Sequence, residues 1–554
     1  MCVYVTDGEK VDYLCHDIYN NITQQEYASS LTFKFISEEL APKYDVAFTC
    51  DDTMGTLTGE TSQIVREGDK SSAVTAVAKE GYQFACWSDG TTNATIEYSP
   101  KAKSELVAYF TPKSTGLPVF TIDTATGLSI TSKDDYVDCE ITLLDTETGN
   151  SIGGQAAEIK GRGNSTWDKF DKKPYKFKFE DKQNLFGYGK EKTWVLLADA
   201  RDYSLVRNML ALNAGLSMSE LGYTSMGQSV ELYLNGEYRG VYYLCEQIQI
   251  KENRVNVTAE DEGADANQDG MVDPDSIGYL VEMDAWASDS SNKNLANYTK
   301  DGDVFVTITG GQKPFVIKDP EDVFFDADGN FDAEKAAPYL EYIQGYLQQC
   351  HDAMYADKTA ENYEALCQLI DVKSFAQAYI IYEWFKNPDV NYSSVYYYKD
   401  ANGKLVADPL WDFDMSVGNV THKSGAGTNA SNFRDTTFLW AKSQNYWFNQ
   451  LLQFEEFKEL VGQELNDNAA TLRASVADSL AYAREHADAY EKNFEVWNLI
   501  GNTSATEAMG AWSVPAEFKA FATWEEHLTY IENYLEASLT HLINTYPAPA
   551  AESN

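Results

Sequence analysis

The chain has 554 residues, a formal net charge of −43 and 13% aromatic residues. This length exceeds one ordinary core, so we expect two to four domains. The negative charge argues against a nucleic-acid polymer or an anionic membrane as partner, because phosphates would be repelled. No apolar run approaches the ~20 residues that cross a bilayer, so no transmembrane segment is predicted. An acidic surface of this kind is typical of secreted or cell-surface proteins.

The start of the chain, Met1-Cys-Val-Tyr, shows no basic region followed by an apolar one, so no signal peptide is visible. Because the sequence enters folded-looking segments abruptly, we expect the natural protein to extend before Met1. The eight cysteines and six histidines are scattered. They lack the short paired spacings of zinc sites, and we expect most cysteines to be buried as small apolar residues.

The N-terminal part divides into two regions. Residues 1–43 form a short segment of uncertain nature, with a predicted helix at 24–30 and an alternating strand at 31–36. Residues 44–113 predict a small all-β module. Apolar and polar residues alternate in three short segments that are separated by turn residues: 46–49, 73–78 and 106–110. The run Gly81-Tyr-Gln-Phe-Ala-Cys-Trp-Ser-Asp-Gly, followed by Ala108-Tyr-Phe, resembles β-grasp-like repeats of Gram-positive surface proteins. That resemblance implies a spacer or adhesion module.

The remainder, 117–545, predicts an α+β domain in two lobes, with a tail at 546–554. Strands are expected at 119–123, 139–145 and 174–179, and a helix at 204–219 with Asp202 and Ser204 as capping candidates. A hairpin is expected at 230–244, because Asn235-Gly236 is a strong turn signal. These elements form a β-rich lobe at about 117–250. A helix-rich lobe follows at about 335–545, and 446–545 is expected to be mostly helical.

Two carboxylates stand out in the run Asp408-Pro-Leu-Trp-Asp-Phe-Asp-Met-Ser. If this run is a strand, Trp411 and Phe413 turn into the core, and Asp412 and Asp414 share the opposite face. Neighbouring carboxylates repel unless a cation lies between them, and their oxygens suit Mg²⁺, Mn²⁺ or Ca²⁺. The alternative is a solvated turn after a strand. An acidic-amide pair, Asn387-Pro-Asp-Val-Asn, lies upstream and could complete a metal-dependent phosphoryl-transfer site.

A second group of oxygen ligands begins at Asp265-Ala-Asn-Gln-Asp-Gly and continues to Asp273. Its spacing matches the start of a calcium loop, although Ser276 occupies the twelfth position where a bidentate Glu is expected. A Ca²⁺ site and a solvated acidic turn both remain open. The candidate ligands are Asp265, Asn267, Asp269 and Asp273.

Several blocks in order resemble the CotH kinase family, named for spore coat protein H, over about 117–545. They are Lys160-Gly-Arg-Gly-Asn-Ser-Thr-Trp, Lys172-Lys-Pro-Tyr-Lys, Trp194-Val-Leu-Leu-Ala, Asp202-Tyr-Ser-Leu-Val-Arg-Asn, Val230-Glu-Leu-Tyr-Leu-Asn-Gly-Glu-Tyr-Arg-Gly-Val-Tyr, Glu246-Gln and Trp411-Asp-Phe-Asp-Met-Ser. The resemblance implies an atypical protein-kinase fold that transfers the ATP γ-phosphate to Ser residues of secreted or spore-coat proteins. It also implies an extracellular or cell-surface location in a Gram-positive bacterium.

The resemblance, together with the needs of phosphoryl transfer, assigns roles to particular residues. Asp412 is expected to be the principal Mg²⁺ or Mn²⁺ ligand, with Asp414 supporting it. Asp389 is expected to orient or deprotonate the acceptor Ser, and Asn391 to complete the second metal shell. The candidate nucleotide-binding residues are Arg162 on phosphate, Lys173 or Lys176 on the α/β phosphates, and Arg207 and Glu246.

Each of these residues also has a plainer interpretation. Lys176 can be a solvated strand residue, Arg207 can cap its helix or pair with an acidic neighbour, and Glu246 can form a structural salt bridge. Four tryptophans are interpreted as core residues rather than a sugar-binding platform: Trp384, Trp411, Trp440 and Trp447. The sequence has no HRD, DFG or GxGxxG motif. A non-catalytic extracellular scaffold that retains a kinase-like fold therefore remains the alternative function, and a carbohydrate-active enzyme is a third.

Overall fold

The computed structural model describes residues 41–266, 272–288, 293–295, 298–299, 303–320, 322–326, 328–422, 434–502 and 512–549. The helix and strand predicted within residues 24–36 lie outside these ranges. Two compact units are distinguished. One contains the described residues up to Lys113 together with Thr142–Leu144 and Ser151–Gly154, and the other contains the remainder.

The first unit is all-β, as predicted. Its strands are β1 (Lys43–Cys50), β2 (Gly55–Thr58), β3 (Ser62–Arg66), β4 (Val74–Ala78), β5 (Tyr82–Trp87), β6 (Thr95–Ile96) and β7 (Ser104–Pro112). They form two sheets in the orders β3-β1-β7-β5 and β2-β4-β6. Alternating apolar residues supply a small core that includes Phe48, Trp87 and Phe110. The three strands predicted for this module are confirmed.

After β7 the chain forms a closed seven-stranded barrel in the order β10-β11-β12-β14-β13-β8-β9. Its strands are β8 (Val119–Thr124), β9 (Val137–Leu144), β10 (Ile152–Gly161), β11 (Tyr175–Gln183), β12 (Glu191–Leu197), β13 (Gly227–Leu234) and β14 (Glu237–Glu246). The predicted hairpin is β13–β14. Its turn residues Asn235 and Gly236 have φ of 51° and 76°, as a two-residue hairpin turn requires.

Two short helices interrupt the barrel strands: α1 (Ser165–Lys169) and α2 (Arg207–Leu216). The sequence predicted a longer helix at 204–219. The structure starts it later because the carboxylate of Asp202 accepts the backbone N–H groups of Val206 and Arg207, at 3.1 and 2.9 Å. Residues 202–206 therefore form a capped turn before the helix.

A smaller sheet follows the barrel in the order β18-β19-β15-β20. Its strands are β15 (Tyr279–Met283), β18 (Phe305–Val306), β19 (Phe315–Asp319) and β20 (Val395–Lys399), and short pairs are formed by β16 (Lys293–Leu295) with β17 (Tyr298–Thr299) and by β21 (Thr421–His422) with β22 (Trp512–Ser513). The helix before β20 ends at Phe385, so residues 387–391 lie in the connection between this helix and β20.

Helices dominate the chain after residue 332, as predicted. They are α3 (Ala333–Tyr355), α4 (Ala360–Leu369), α5 (Val372–Phe385), α6 (Trp440–Gln444), α7 (Tyr446–Leu451), α8 (Glu455–Glu485), α9 (Ala487–Val496), α10 (Ala516–Ala520) and α11 (Trp524–Thr545). Together the elements confirm an α+β fold with an N-terminal all-β region; the division into two kinase lobes stays a prediction. No helix in the described ranges has both the length and the apolar character needed to cross a membrane.

The core of the second unit explains its aromatic content. The four tryptophans that were interpreted as core residues are all buried, with exposed fractions of 0–5%: Trp384, Trp411, Trp440 and Trp447. They belong to one continuous cluster that also includes residues of the barrel and of α8 and α11. Their core interpretation is confirmed.

Candidate active site

The acidic segment 411–417 is not a strand, which corrects the conditional expectation from the sequence. Asp412 has a φ of 62°, and this left-handed conformation cannot continue a pleated strand. The predicted partition of side chains nevertheless holds, because Trp411 and Phe413 are buried while Asp412 and Asp414 remain partly exposed. A non-glycine residue in this conformation is strained, and such strain is found where surrounding contacts fix a functional group.

Other left-handed residues surround the same place. Six non-glycine residues with positive φ lie in the segments that meet here: Asp199, Leu205, Lys386, Ser394, Asp412 and Val417. The Ser394 hydroxyl donates to the Asp412 carboxylate at 3.4 Å, and its N–H donates to Glu282 at 2.9 Å. Several segments thus have irregular backbone conformations where their polar groups meet.

Asn387 ties the two predicted catalytic segments together. Its Nδ2 donates to the backbone oxygen of Asp412 at 3.0 Å, and its Oδ1 accepts the backbone N–H of Asp389 at 2.9 Å. The Trp440 indole N–H donates to the Asn387 carbonyl at 2.8 Å, which anchors this junction to the core. The structure therefore brings Asp389 and Asp412 together, although 23 positions separate them in the sequence.

Burial and mutual repulsion act on all the carboxylates of the site. Burial raises the pKa of Asp389 to about 6. Burial, together with the negative charge of Asp389, raises the pKa of Asp412 to about 6. Burial, with repulsion from Asp412, raises the pKa of Asp414 to about 7. Burial, with Asp202 and Asp414, raises the pKa of Asp199 to about 7. Carboxylates that are costly to ionise together are the usual environment of a cation site.

Two arginines offset this negative charge. Arg162 has its guanidinium 5.6 Å from the centre of the Trp411 ring, and its charge lowers the pKa of Asp412. Arg201 is buried, and its charge lowers the pKa of Asp389, Asp412 and Asp414. The sequence predicted Arg162 but missed Arg201 and Asp199. Both lie just before Asp202, yet no spacing pattern distinguishes them from other charged residues.

A third lysine, Lys172, precedes the two lysines that the sequence singled out, Lys173 and Lys176. Lys172 is buried, its Nζ donates to the Val241 carbonyl at 2.5 Å, and its charge lowers the pKa of Asp199. Burial lowers the pKa of Lys172 itself to about 7. Lys173 donates instead to the carbonyl of Trp167, and Lys176 lies within β11 opposite Val195. Lys172 therefore interacts with Asp199, and phosphate binding by Lys173 or Lys176 stays a prediction.

A cavity of about 400 Å³ opens beside Lys172. Its lining includes the side chains of Asp199, Asn493, Trp497 and Asn502, but not those of Asp412 or Asp389. Asp199 thus lies between this cavity and the acidic segment.

Arg207 and Glu246, both predicted to bind nucleotide, have buried partners. Arg207 is fully buried, pairs with Asp202, and donates through Nε to the carbonyl of Ser416 at 3.0 Å. Glu246 is fully buried, pairs with Arg254, and accepts the Tyr223 hydroxyl at 3.0 Å. These contacts agree with the structural alternatives given for both residues. Direct contact with nucleotide remains an untested prediction for each.

The donor set fits a divalent cation carried by a nucleotide. Asn391 donates to Gln312 at 3.1 Å, while its Oδ1 is buried and has no hydrogen-bond partner among the described residues. No group of three or more His, Cys, Asp or Glu in the described ranges is arranged to hold a metal alone. Mg²⁺ in nucleotide sites commonly takes only one or two carboxylates and fills its shell with phosphate and water oxygens. Asp412 and Asp414 can supply that number.

The predicted calcium loop is only partly described. Asn267 and Asp269 lie outside the described residues. Asp273 accepts the backbone N–H of Ala266 at 2.9 Å through one carboxylate oxygen, and Asp265 is half-buried. The Ca²⁺ site stays a prediction.

Comparisons with known proteins give two matches. The family model described as CotH kinase protein matches residues 159–542. The model described as divergent InlB B-repeat domain matches residues 44–114, the all-β module. No curated protein matches the chain. The first match spans most of the chain and contains the barrel from β11 onward, the acidic segment and the Asn387 junction, so the protein belongs to the CotH kinase family.

Proposed function

We propose that this protein is an extracellular or spore-coat kinase that transfers the ATP γ-phosphate to serine hydroxyls of other proteins, using Mg²⁺ or Mn²⁺. The observation that carries the proposal is the junction at Asn387, which joins Asp389 to Asp412 beside Arg162. Phosphoryl transfer needs positioned groups and charge neutralisation rather than covalent chemistry by the protein. Membership of the CotH kinase family supports this reaction class.

Asp389 acts on the acceptor in this proposal. With a pKa of about 6, its carboxylate is ionised near neutral pH and is basic enough to accept a proton. The serine O–H gives its proton to Asp389 while the serine oxygen bonds to the γ-phosphorus and ADP leaves. The Asn387 side chain fixes the backbone of Asp389, which limits how far its carboxylate can move.

Asp412 and Asp414 hold the divalent cation, which neutralises phosphate charge when it is bound. Arg162 binds phosphate, since its guanidinium lies over Trp411 at the edge of the acidic segment. Arg201 is a buried cation that favours the ionised form of Asp412, and Lys172 does the same for Asp199 when it is protonated. Membership of the family does not by itself identify the residue that receives the phosphate. We propose serine as this residue.

The N-terminal repeat supports an extracellular location, in which the all-β module serves as a spacer or adhesion unit. The same repeat favours the second candidate, an adhesin or scaffold that keeps a kinase-like fold without catalysis. Incubating the full chain with γ-labelled ATP, a serine-containing acceptor protein, and either Mg²⁺, Mn²⁺ or a chelator separates the two. We expect metal-dependent label on serine. Nucleotide binding without transfer to any acceptor, or to the chain itself, would favour the scaffold.

A further inference from the structure

The side chain of Asn208 connects two segments that are far apart in the sequence. Its Oδ1 accepts the backbone N–H of Phe413 at 2.7 Å, and its Nδ2 donates to the carboxylate of Asp199 at 2.6 Å. Asn208 is 3% exposed and Phe413 is fully buried. A buried N–H needs a partner, and the left-handed residue before Phe413 prevents a strand from supplying one. Asn208 supplies it instead.

The residue before Asn208 holds the other end of the same turn. Arg207 Nε donates to the carbonyl of Ser416 at 3.0 Å, and Ser416 N–H donates to the carbonyl of Phe413 at 3.0 Å. Two consecutive residues at the start of α2 therefore bind the first N–H and the last carbonyl of the 413–416 turn. Asp414 lies inside that turn, and Asp412 directly precedes it.

Phe413 and Asp199 together fix which way the Asn208 amide points. The N–H of Phe413 requires an oxygen from Asn208, and an oxygen of the Asp199 carboxyl group accepts from the amide nitrogen. One amide orientation satisfies both neighbours, and it is the orientation found. Asp199 itself is held in a left-handed conformation with a φ of 45°.

We propose that Asn208 is a positioning residue that holds the Asp412 and Asp414 carboxylates in their metal-binding arrangement, and that Asp199 orients Asn208. The inference rests on the proposed function, because it assumes that these carboxylates bind a divalent cation. Groups that orient metal ligands typically change metal affinity or activity by about 10–100-fold when they are removed.

The test measures Mn²⁺ affinity by electron paramagnetic resonance on the full chain, with AMP-PNP as the nucleotide. We expect Asn208→Ala and Asp199→Ala each to weaken Mn²⁺ binding by about 10–100-fold. Apart from the direct charge of Asp199 on Asp412 and Asp414, both changes break one connection, so the double variant should lose less affinity than the sum of the two single losses. Asn213→Ala is the matched control, since Asn213 lies on the same helix but donates to Ser479 at 2.9 Å. It should bind Mn²⁺ like the wild type.

An exchange of roles tests the connection even if the alanine variants fold poorly. Asn208→Asp keeps an oxygen for Phe413 but places two carboxylates face to face, so Mn²⁺ binding should weaken. Adding Asp199→Asn restores a donor opposite an acceptor, so the exchanged pair should recover most of the affinity. Wild-type affinity in Asn208→Ala, additive losses in the double variant, or no recovery in the exchanged pair would each overturn the positioning role. A wild-type chain that binds no Mn²⁺ with AMP-PNP would instead overturn the proposed function.

Discussion

The side-chain nitrogen of Asn387 lies 3.0 Å from the backbone oxygen of Asp412. The oxygen of the same amide accepts the N–H of Asp389, so one buried side chain sets the spacing between the residue proposed as base and the residue proposed as metal ligand. Neither contact uses a carboxylate oxygen of the two aspartates. Their charged ends therefore stay available for ligands while their backbones are fixed, which is the arrangement that preorganised sites require.

Asp389→Asn should separate chemistry from binding. The amide keeps the size of the carboxylate but cannot accept the serine proton, so we expect turnover to fall by about 10²-fold or more. The affinity for Mn²⁺ with AMP-PNP should change little, because Asp389 is not expected to hold the metal. Steady-state rates and nucleotide binding measured on the same preparation check this. Equal losses in both would indicate that Asp389 is a metal ligand.

The pH dependence of stability should report the carboxylate cluster. An aspartate whose pKa is higher in the folded than in the unfolded state stabilises the fold when it is protonated. This stabilisation is complete below the unfolded pKa of ~3.9, and it is lost as the pH rises through the folded pKa. Asp389 and Asp412 have pKa values of about 6, and Asp414 of about 7. The metal-free protein should therefore lose stability between about pH 4 and pH 7.

Divalent cations should reverse this loss, because they bind the ionised carboxylates. We expect Mg²⁺ or Mn²⁺ to raise the melting temperature more at about pH 8 than at about pH 5. The double variant Asp412→Asn with Asp414→Asn is the control for the general repulsion between acidic groups of the chain. Its stability should depend less on pH than that of the wild type. A double variant with the wild-type slope and the wild-type response to metal would rule out this cluster as the source.

Arg162→Gln should weaken nucleotide binding. A hydrogen bond to a charged group contributes about 1.5–3 kcal/mol, so the dissociation constant for ATP should rise by roughly 10–100-fold. Lys178→Gln is a matched control, because Lys178 is an exposed barrel residue paired with Glu158. Calorimetric titration with ATP and Mg²⁺ measures both. If the two variants lose affinity equally, the effect comes from overall charge and not from a contact of Arg162.

Glu246 and Arg254 should matter for stability more than for nucleotide binding. Both side chains are fully buried and paired, and removing one partner of such a pair costs about 3–5 kcal/mol. Arg254→Met should therefore lower the free energy of unfolding by that amount, as measured by urea denaturation. The affinity for ATP in the folded variant should stay at the wild-type value. A large loss of affinity with little loss of stability would return Glu246 to the nucleotide site.

Local signals in the sequence predicted local structure well. The hairpin turn at Asn235-Gly236 follows from two residues that tolerate positive φ, and the helices after residue 446 follow from apolar periodicity. The spacing of Asp412 and Asp414 predicted that both carboxylates lie on the face opposite the buried Trp411 and Phe413. Buried and partly exposed side chains do alternate along this segment, although its backbone is not a strand.

The rest of the site depends on contacts between distant parts of the chain. Asn208 and Phe413 are 205 positions apart, and no periodicity within either segment indicates that they meet. Arg201 and Lys172 look like ordinary surface charges in the sequence, yet both are buried. Their importance arises only when the barrel closes and α2 packs against the acidic segment. The left-handed conformation of Asp412 likewise results from contacts that the segment itself does not contain.

In the proposed mechanism, Asp389 and Asp412 together catalyse phosphoryl transfer. The most direct measurement is the initial rate of label transfer from γ-labelled ATP to a serine-containing protein, with Mg²⁺ or Mn²⁺ present. The wild type and Asp467→Asn, which changes an exposed carboxylate on α8, should transfer label at similar rates. Asp412→Asn should be inactive at every metal concentration tested while its melting temperature shows that it is folded. Wild-type transfer by folded Asp412→Asn would contradict the account.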